Sequence, residues 1–335
     1  MEKRSEGRGE IIIDPTLPIV DAHFHLFDLP EARYMFDDYL EDVQAGHNIV
    51  ASVYIETAGF LRPDGPEVLR PLGEIEFANG VGAVAASGRY GKTLVNAAIV
   101  GHADLRHGNA VAELFDRGLQ LAPDRLRGFR QVALDHPSDE PYKFMLAPPP
   151  KGLLSNAAFR DGFRHLAERK LTFDATVFHT QLADLIDLVD AFPDTTIILD
   201  HLGMPMQLGA DGERAERFKH WRKEMERLSE RPNTRCKVGG LGMPFSGFGF
   251  EQKQEQVGYR ELADAWAPYV ETAIKAFGTE RCMMESNFPP DGYSAGYVPV
   301  WNAMKYITRD FTANEKADLF HRTAMHTYRI SVPGL

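Results

Sequence analysis

Short runs of β-branched residues alternate with longer helical patterns along most of this chain. Such alternation is typical of a parallel sheet whose strands are joined by helical crossovers. Eight such repeats fit a closed barrel better than an open sheet. An open nucleotide-binding sheet would carry a glycine-rich turn after its first strand, but here that strand runs into HLFDLPEARY, which has no glycine. The predicted strands are Pro18–His25, Ile49–Glu56, Val95–His102, Leu126–Ala133, Leu171–His179, Thr195–His201, Thr234–Gly240 and Arg281–Asn287.

Helical patterns fill the intervals between the strands and continue past the last one. We therefore predict one α/β domain, a single (β/α)8 TIM barrel over residues 15–335, behind a flexible polar N-terminal arm of residues 1–14. Two loops are longer than a connector needs: Leu134–Leu154 after the fourth strand and Leu241–Tyr259 after the seventh. Both would emerge at the carboxyl end of the barrel, where active sites of this fold are built. Long loops there commonly form pocket walls or lids.

Composition excludes several classes of partner. The 48 acidic residues outnumber the 37 basic ones, for a formal net charge of −11, which argues against non-specific nucleic-acid binding and against docking on anionic lipid. Two cysteines, Cys236 and Cys282, are too few for a disulfide framework and predict free thiols in a reducing compartment. Neither a signal peptide nor a membrane span is recognisable. We expect a cytoplasmic protein that acts on a small molecule, and homo-oligomer formation stays open.

Histidines end four of the predicted strands: the first, third, fifth and sixth. In the first strand, IVDAHFH, side chains alternate, so Asp21, His23 and His25 should share one face. Two imidazoles spaced in this way can converge on one ion or one substrate oxygen, although a structurally satisfied pair is the alternative. His179 and His201 end the fifth and sixth strands. Either alone would be interpreted as structural, but four histidines at one barrel end favour a catalytic or metal-binding site.

The eighth strand, RCMMESNFPPD, also ends in polar residues. Glu285 and Asn287 share a face with Met283, and a buried carboxylate or amide is costly unless it is used. We expect Asn287 to serve in the site and Glu285 to lie deeper, holding a neighbouring basic group. Asp291 follows in the loop, where its alternative interpretation is a turn or helix-capping residue.

Four further residues are predicted to bind substrate. Glu56 and His102 end the second and third strands, and Arg130 and Lys237 lie in the fourth and seventh. The two cations are of the type that binds a carboxylate. A salt bridge inside the barrel is the alternative for each of the four. The remaining histidines are interpreted as surface or structural: His47, His107, His136, His165, His220, His321 and His326.

Three segments of the chain resemble the amidohydrolase superfamily: IVDAHFH, FHTQLADLIDLVDAFPDTTIILDHLG and RCMMESNFPPD. They are most similar to the branch that holds lactone hydrolases, including 2-pyrone-4,6-dicarboxylate lactonases and fuconolactonases. The resemblance runs from about Pro18 to the C-terminus. It implies a (β/α)8 barrel in which His23, His25, His179 and His201 take the places of the superfamily's strand-end histidines.

The chain departs from the superfamily pattern at the end of the eighth strand. An aspartate is usual there, and this chain has Asn287, which cannot act as a general base and is a poorer metal ligand. The resemblance therefore implies either one divalent ion, Zn or Mn, on His23, His25 and His179, or catalysis without a metal. In both cases Asp291 is the substitute carboxylate. No lysine ends the fourth strand to be carboxylated, so a two-metal centre is not expected.

The resemblance favours a hydrolase that opens a cyclic ester, such as a carboxylate-bearing lactone, by attack of an activated water. Asp291 would take the proton of the water, the ion or His201 would polarise the carbonyl, and Arg130 would hold a substrate anion. The first alternative is a metal-dependent decarboxylase or hydratase of an aromatic or unsaturated acid, and Asn287 counts against it. The second alternative is a barrel that binds a ligand without catalysis, which four clustered histidines disfavour.

Overall fold

The computed structural model describes residues 10–29, 32–144, 148–206 and 211–335. Its main sheet has eight parallel strands that follow each other in chain order. Near the two sheet edges, Phe24 pairs with Phe288, and the Asn287 amide donates to the His23 carbonyl at 2.9 Å. These contacts close the sheet, and the prediction of a single (β/α)8 barrel is confirmed. The strands are β1 (Pro18–Phe24), β2 (Asn48–Ile55), β3 (Leu94–His102), β4 (Leu126–Arg130), β5 (Thr172–Ala175), β6 (Ile197–Leu199), β7 (Thr234–Val238) and β8 (Cys282–Met284).

Helices surround the barrel, and among the described residues none is both long and apolar enough to cross a membrane. The sequence did not predict α1 or the small antiparallel hairpin of Phe27–Leu29 with Ala32–Tyr34, because three-residue strands are too short to show an alternation. The helices are α1 (Phe36–Val43), α2 (Leu72–Ala86), α3 (Val111–Leu121), α4 (Ala157–Phe163), α5 (His165–Glu168), α6 (Leu182–Ala191), α7 (Asp211–Ser229), α8 (Tyr259–Phe277), α9 (Tyr297–Ile307), α10 (Ala313–Ala317) and α11 (Thr323–Tyr328).

The predicted N-terminal arm lies mostly outside the described residues, which begin at Glu10. Glu10 accepts a hydrogen bond from the Tyr259 amide at 2.8 Å, and the Ile13 amide donates to Asn302 Oδ1 at 2.8 Å. This end of the arm therefore lies against α8 and α9. The flexibility of residues 1–9 stays a prediction.

Several barrel strands end earlier than their sequence pattern predicts. β5 ends at Ala175 and β6 at Leu199, before His179 and His201. His201 has a left-handed backbone with φ of 53°, as does Asn287 after β8 with φ of 49°. Strand pairing requires extended backbone, so neither residue can continue its strand. Side-chain alternation therefore stops before these residues, and their orientation is set by turns.

The barrel interior has two layers. The lower layer is apolar and joins inward residues of several strands, including Val20, Ala22, Ile198 and Met283, to Tyr328 of α11. The layer above it, at the carboxyl ends of the strands, is polar and charged. Both cysteines are buried and free, as predicted.

Candidate active site

The two histidines of β1 contact each other at the carboxyl end of the barrel. Their Nε2 atoms lie 3.0 Å apart, and His25 Nδ1 lies 2.9 Å from the carbonyl oxygen of Ile55. Burial, then the charge of Arg130, lowers the pKa of His25 to about 3. Burial, then Lys237, lowers the pKa of His23 well below its usual value. Both imidazoles are therefore neutral at physiological pH.

Asp21 does not share the face of the two histidines, which corrects the expectation from alternation. A register shift between Asp21 and Phe24 breaks the β1 pattern. Asp21 accepts hydrogen bonds from the hydroxyls of Tyr39 at 3.2 Å and Tyr297 at 3.0 Å, which belong to the helix layer. Ser286 donates two more, from its amide and its hydroxyl. This carboxylate ties α1 and α9 to the end of β8 and does not face the site.

Lys237 is fully buried at the centre of the charged layer. Its Nζ lies 2.6 Å from Asp174 Oδ2, 3.0 Å from Asp200 Oδ1 and 3.1 Å from His23 Nδ1. Burial alone would lower the pKa of Lys237, but Asp174 and Asp200 outweigh burial and raise it. Lys237 is therefore a permanent ammonium ion that joins three strand ends.

Arg130 and Glu56 form a second buried ion pair. Arg130 Nε lies 2.7 Å from Glu56 Oε1, and Arg130 Nη2 donates to the Glu56 carbonyl at 2.7 Å. His102 Nδ1 lies 3.4 Å from the other carboxylate oxygen. Burial would raise the pKa of Glu56, but Arg130 and His102 outweigh it and lower it to about 2. For Glu56, His102 and Arg130 the geometry favours the alternative interpretation, a salt bridge inside the barrel. Glu56 already compensates the charge of Arg130, so that Arg130 is poorly suited to bind a substrate anion.

His201 and Glu285 form a third pair beside His23. His201 Nδ1 lies 2.8 Å from Glu285 Oε1, and Glu285 Oε2 lies 3.3 Å from His23 Nδ1. The rings of His23 and His201 have centroids 4.4 Å apart. Burial would lower the pKa of His201, but Glu285 outweighs it and the pKa is raised. Glu285 thus lies beside a basic group, as its place in the strand led us to expect.

Asp291 is a buried carboxylate held by two donors. The Gly242 amide donates to Oδ2 at 2.9 Å and the Asn287 side-chain amide donates to Oδ1 at 2.7 Å. Burial raises the pKa of Asp291 to about 7, although these donors and His201 oppose the rise. A carboxyl group that titrates near neutral pH can accept and return a proton during turnover. Asn287 therefore positions the Asp291 carboxylate by donating a hydrogen bond to it, and is not itself an acid or a base.

Two glycines after β7 allow the loop to pass close to these groups. A Cβ on Gly240, which has φ of +67°, would lie 2.2 Å from His201 Nδ1. A Cβ on Gly242 would lie 2.8 Å from Asp291 Cβ. A larger side chain at either position would displace a residue of the site. The sequence signal for this close approach is the run GGLG at the end of the predicted seventh strand, which carries no ionisable side chain.

His179 lies apart from this network, in a single helical turn that follows β5. Its Nδ1 accepts a hydrogen bond from the Met206 amide at 3.4 Å, and burial lowers its pKa to about 4. His179 lines a cavity of about 480 Å³. His136 and His220, which the sequence assigned to surface or structural roles, line the same cavity. Its other walls are Thr180, Met206, Glu216 and Arg217.

Arg217 brings a charge to this cavity that the sequence reasoning missed. Its Nη1 donates to Glu213 at 3.1 Å. Its Nε and Nη2 are buried and have no hydrogen-bond partner among the described residues. In the sequence, Arg217 is one of many charges in the α7 pattern, so nothing singled it out. Only the fold places it beside His179.

Asp174 and Asp200 were also missed. Asp174 lies in β5, which ends at Ala175. The predicted strand continued to His179, and alternation along that longer strand placed Asp174 on the opposite face from His179. Alternation groups His201 with Leu199, so Asp200 should point away from it, but the left-handed turn at His201 leaves both side chains buried. Asp200 could have been found only by knowing where β6 ends.

In the described part of the chain, the residues placed to hold a metal ion are His23, Asp200 and His201, whose ligand atoms lie within 4.8 Å of one another. This group shares only His23 with the predicted ligands His23, His25 and His179. Histidine and aspartate suit Zn or Mn. However, the Lys237 ammonium already lies beside two of the three donors. As the side chains stand, the group does not fit a resident divalent ion.

Comparisons with known proteins place these observations in context. A family model described as amidohydrolase matches residues 20–330. An uncharacterized protein, y4mH, from Sinorhizobium fredii is 32% identical over 94% of this chain and 99% of its own length. An L-fucono-1,5-lactonase from Burkholderia ambifaria is 25% identical over 72% of this chain and 74% of its own. A crystal structure of an amidohydrolase from Burkholderia multivorans with bound zinc has a TM-score of 0.71, with 21% identity over 93% of this chain and 99% of that one. At that identity the likeness concerns the fold.

Proposed function

The chain belongs to the amidohydrolase family, and we propose that it is a hydrolase that opens a carboxylate-bearing cyclic ester by attack of water. The observation that carries this proposal is the buried carboxyl of Asp291, whose pKa is raised to about 7. Such a group is ionised often enough at neutral pH to take a proton from water, and it is basic enough to do so effectively. The lactonase among the relatives supports a cyclic ester as the substrate class.

In this proposal Asp291 removes the proton of the attacking water and returns it to the ring oxygen as the bond between that oxygen and the carbonyl carbon breaks, so that the product carries a free acid and a hydroxyl. Gly242 and Asn287 hold the Asp291 carboxylate in place. His201, whose pKa Glu285 raises, stabilises in its protonated form the negative charge that develops on the carbonyl oxygen. The neutral His23 and His25 line the floor beneath them. A bound divalent ion would act as a Lewis acid at such a site, but the position of Lys237 supports catalysis without one.

The carboxylate of the substrate would bind Arg217. Arg130 is paired with Glu56. Arg217 lines the cavity beside His179, and its Nε and Nη2 have no hydrogen-bond partner among the described residues. A guanidinium donating two parallel hydrogen bonds matches the shape of a carboxylate. The cavity follows β5 and β6, so it lies at the same barrel end as His201.

Replacing Arg217 with methionine is expected to weaken binding of a carboxylate-bearing lactone. A hydrogen bond to a charged group contributes about 1.5–3 kcal/mol, so KM should rise about 10- to 100-fold while kcat changes little. Steady-state kinetics on a carboxylated lactone and its neutral counterpart would measure this, and the neutral substrate should be unaffected. The matched control is Arg222→Met on the same helix, since Arg222 pairs with Glu226 on the exposed surface. Equal KM values for both variants would remove Arg217 from the substrate site.

The activity itself is tested by acid release from a panel of lactones, followed with a pH indicator and run beside a carbon dioxide assay on aromatic acids. We expect acid release from carboxylated lactones, and we expect the rate to survive dialysis against a chelator, since the Lys237 ammonium lies beside two of the three possible metal ligands. Carbon dioxide release that requires added metal would instead favour the decarboxylase alternative. Inactivity on every lactone would contradict the proposed substrate class.

A further inference from the structure

We infer that Lys237 holds the proton of His23 on Nε2, and that this tautomer closes the histidine pair of β1 to a divalent metal ion. Lys237 is thus a positioning residue that acts through His23. The inference rests on the proposed location of the site but not on the identity of the substrate, and it can be tested without an activity assay.

The first step concerns the ammonium group. A lysine ammonium has three N–H donors and no acceptor. Lys237 Nζ lies at hydrogen-bonding distance and geometry from Asp174 Oδ2 at 2.6 Å and His23 Nδ1 at 3.1 Å, and it forms an ion pair without hydrogen-bond geometry with Asp200 Oδ1 at 3.0 Å. The group is fully buried. His23 Nδ1 therefore accepts an N–H from the ammonium, because a proton on Nδ1 would place two donors against each other at 3.1 Å.

The second step concerns the other end of the pair. His25 Nδ1 lies 2.9 Å from the Ile55 carbonyl, which can only accept, so Nδ1 carries the proton of His25 and Nε2 carries none. His23 Nε2 lies 3.0 Å from that bare nitrogen. Two bare nitrogens at this distance would repel, whereas an N–H on His23 completes a hydrogen bond. Lys237, His23, His25 and the Ile55 carbonyl then form a chain of three hydrogen bonds, each with one proton between its two heavy atoms.

The other neighbours of His23 lie farther from its ring nitrogens than Lys237 and His25 do. Glu285 Oε2 lies 3.3 Å from Nδ1 and Asp200 Oδ1 lies 3.5 Å from it, both farther than the Lys237 nitrogen. Arg130 Nη1 lies 3.5 Å from Nε2, at the limit of hydrogen bonding. Both carboxylate oxygens lack a hydrogen-bond partner among the described residues and could accept from an Nδ1–H. The nearer Lys237 ammonium can only donate, so the shortest contacts favour the Nε2–H form of His23.

The consequence concerns metal binding. A histidine nitrogen must be deprotonated to bind a metal ion. If His23 and His25 were to bind one ion through both Nε2 atoms, the His23 proton would have to move to Nδ1, where it would face the Lys237 ammonium. The same ammonium repels any cation near Asp200. Lys237 therefore disfavours both the ligand pair expected from the sequence and the group formed with Asp200.

Nitrogen NMR on protein labelled at its histidine side chains tests the tautomers directly, since imidazole nitrogen shifts report which atom bears hydrogen. We expect His23 in the Nε2–H form and His25 in the Nδ1–H form, with signals assigned through His23→Gln and His25→Gln. In Lys237→Met, the His23 signals should move toward the Nδ1–H form. The matched control is Lys305→Met, because buried Lys305 lies 3.0 Å from His47 Nδ1 elsewhere in the molecule and should leave His23 unchanged.

Zinc uptake provides the second readout. After exposure to zinc and dialysis, the wild-type protein should retain no ion that depends on His25, whereas Lys237→Met should gain one zinc ion per chain. Adding His25→Gln to that variant should abolish the gain. The inference is overturned by an Nδ1–H form of His23 in the wild type, by wild-type zinc that His25→Gln removes, or by a folded Lys237→Met that gains none. If Lys237→Met does not fold, the two wild-type measurements decide. A confirmed tautomer with no lactone hydrolysis would count against the substrate and not against Lys237.

Discussion

Replacing Asp291 with asparagine is expected to lower kcat about 10²- to 10⁴-fold, which is the usual contribution of a positioned general base. Asparagine keeps the size of the side chain and can still accept a hydrogen bond from the Gly242 amide, but it cannot take a proton from water. The measurement is kcat on whichever lactone the panel identifies. Turnover within about threefold of the wild type would exclude Asp291 as the base.

If Asp291 is the general base, the rate should depend on pH in a definite direction. The base works when ionised, and burial raises the pKa of Asp291 to about 7, so kcat/KM should rise with pH through about 7. In Asp291→Asn this limb should disappear. Asp21 and Asp174 have pKa values raised to about 6, so a limb that persists in the variant would point to another group. Asp42→Asn is a control, because Asp42 is buried in α1 beside Tyr34.

Measuring the stability of Asp291→Asn shows whether a loss of activity comes from loss of the general base or from unfolding. The folded-state pKa of Asp291 lies above its usual value of 3.8, so the folded protein binds the proton more tightly than the unfolded chain. The contribution of this group to stability therefore falls as pH rises from about 4 to about 7. Asp291→Asn should be at least as stable as the wild type above pH 7, as thermal unfolding can show. Its loss of activity could not then be assigned to unfolding.

Replacing Arg130 with methionine is expected to lower the free energy of unfolding by about 3–5 kcal/mol, because it leaves a charged carboxylate buried without its partner. Glu56 is 3% exposed, and Arg130 provides its 2.7 Å ion pair. Adding Glu56→Gln to the same chain removes the stranded charge and should recover most of the loss. Denaturant unfolding of the two single variants and the double variant measures the coupling.

A surface pair gives the comparison. Arg117 and Glu113 form an ion pair four residues apart on α3, with both side chains about half exposed. Arg117→Met should cost less than about 1 kcal/mol, since solvent screens such pairs. If Arg130→Met instead left stability unchanged and raised only KM, the substrate-binding role that the sequence predicted for Arg130 would be right and the structural role wrong.

Local sequence patterns were enough to predict the barrel and the end of the barrel at which polar residues gather. Alternating strand and helix patterns are local properties, readable within ten or twenty residues, and parallel strands bring their carboxyl ends to one edge. His23, His25, His201, Asn287 and Asp291 could be found in that way. Their clustering needed no knowledge of side-chain contacts.

The pairing of buried groups depends on contacts between residues that are far apart in the chain. Arg130 meets Glu56 across 74 positions of the chain, and Lys237 meets His23 across 214. No local pattern encodes such contacts. They are selected because a buried charge is costly until an opposite charge or a hydrogen bond compensates it. The position of Arg217 could not be predicted locally either. In the sequence it is one of many charged residues of α7, and only the fold places it in the wall of a cavity.

The turns explain the remaining differences. The sequence could mark where polar residues begin, but not that the backbone at His201 and Asn287 turns left-handed and ends the alternation. That conformation is set by contacts with distant groups, such as the Asn287 amide with the His23 carbonyl. The sequence thus determined the fold and the candidate residues through local periodicity, whereas charge pairing, tautomers and side-chain direction were decided by long-range compensation of buried polar groups.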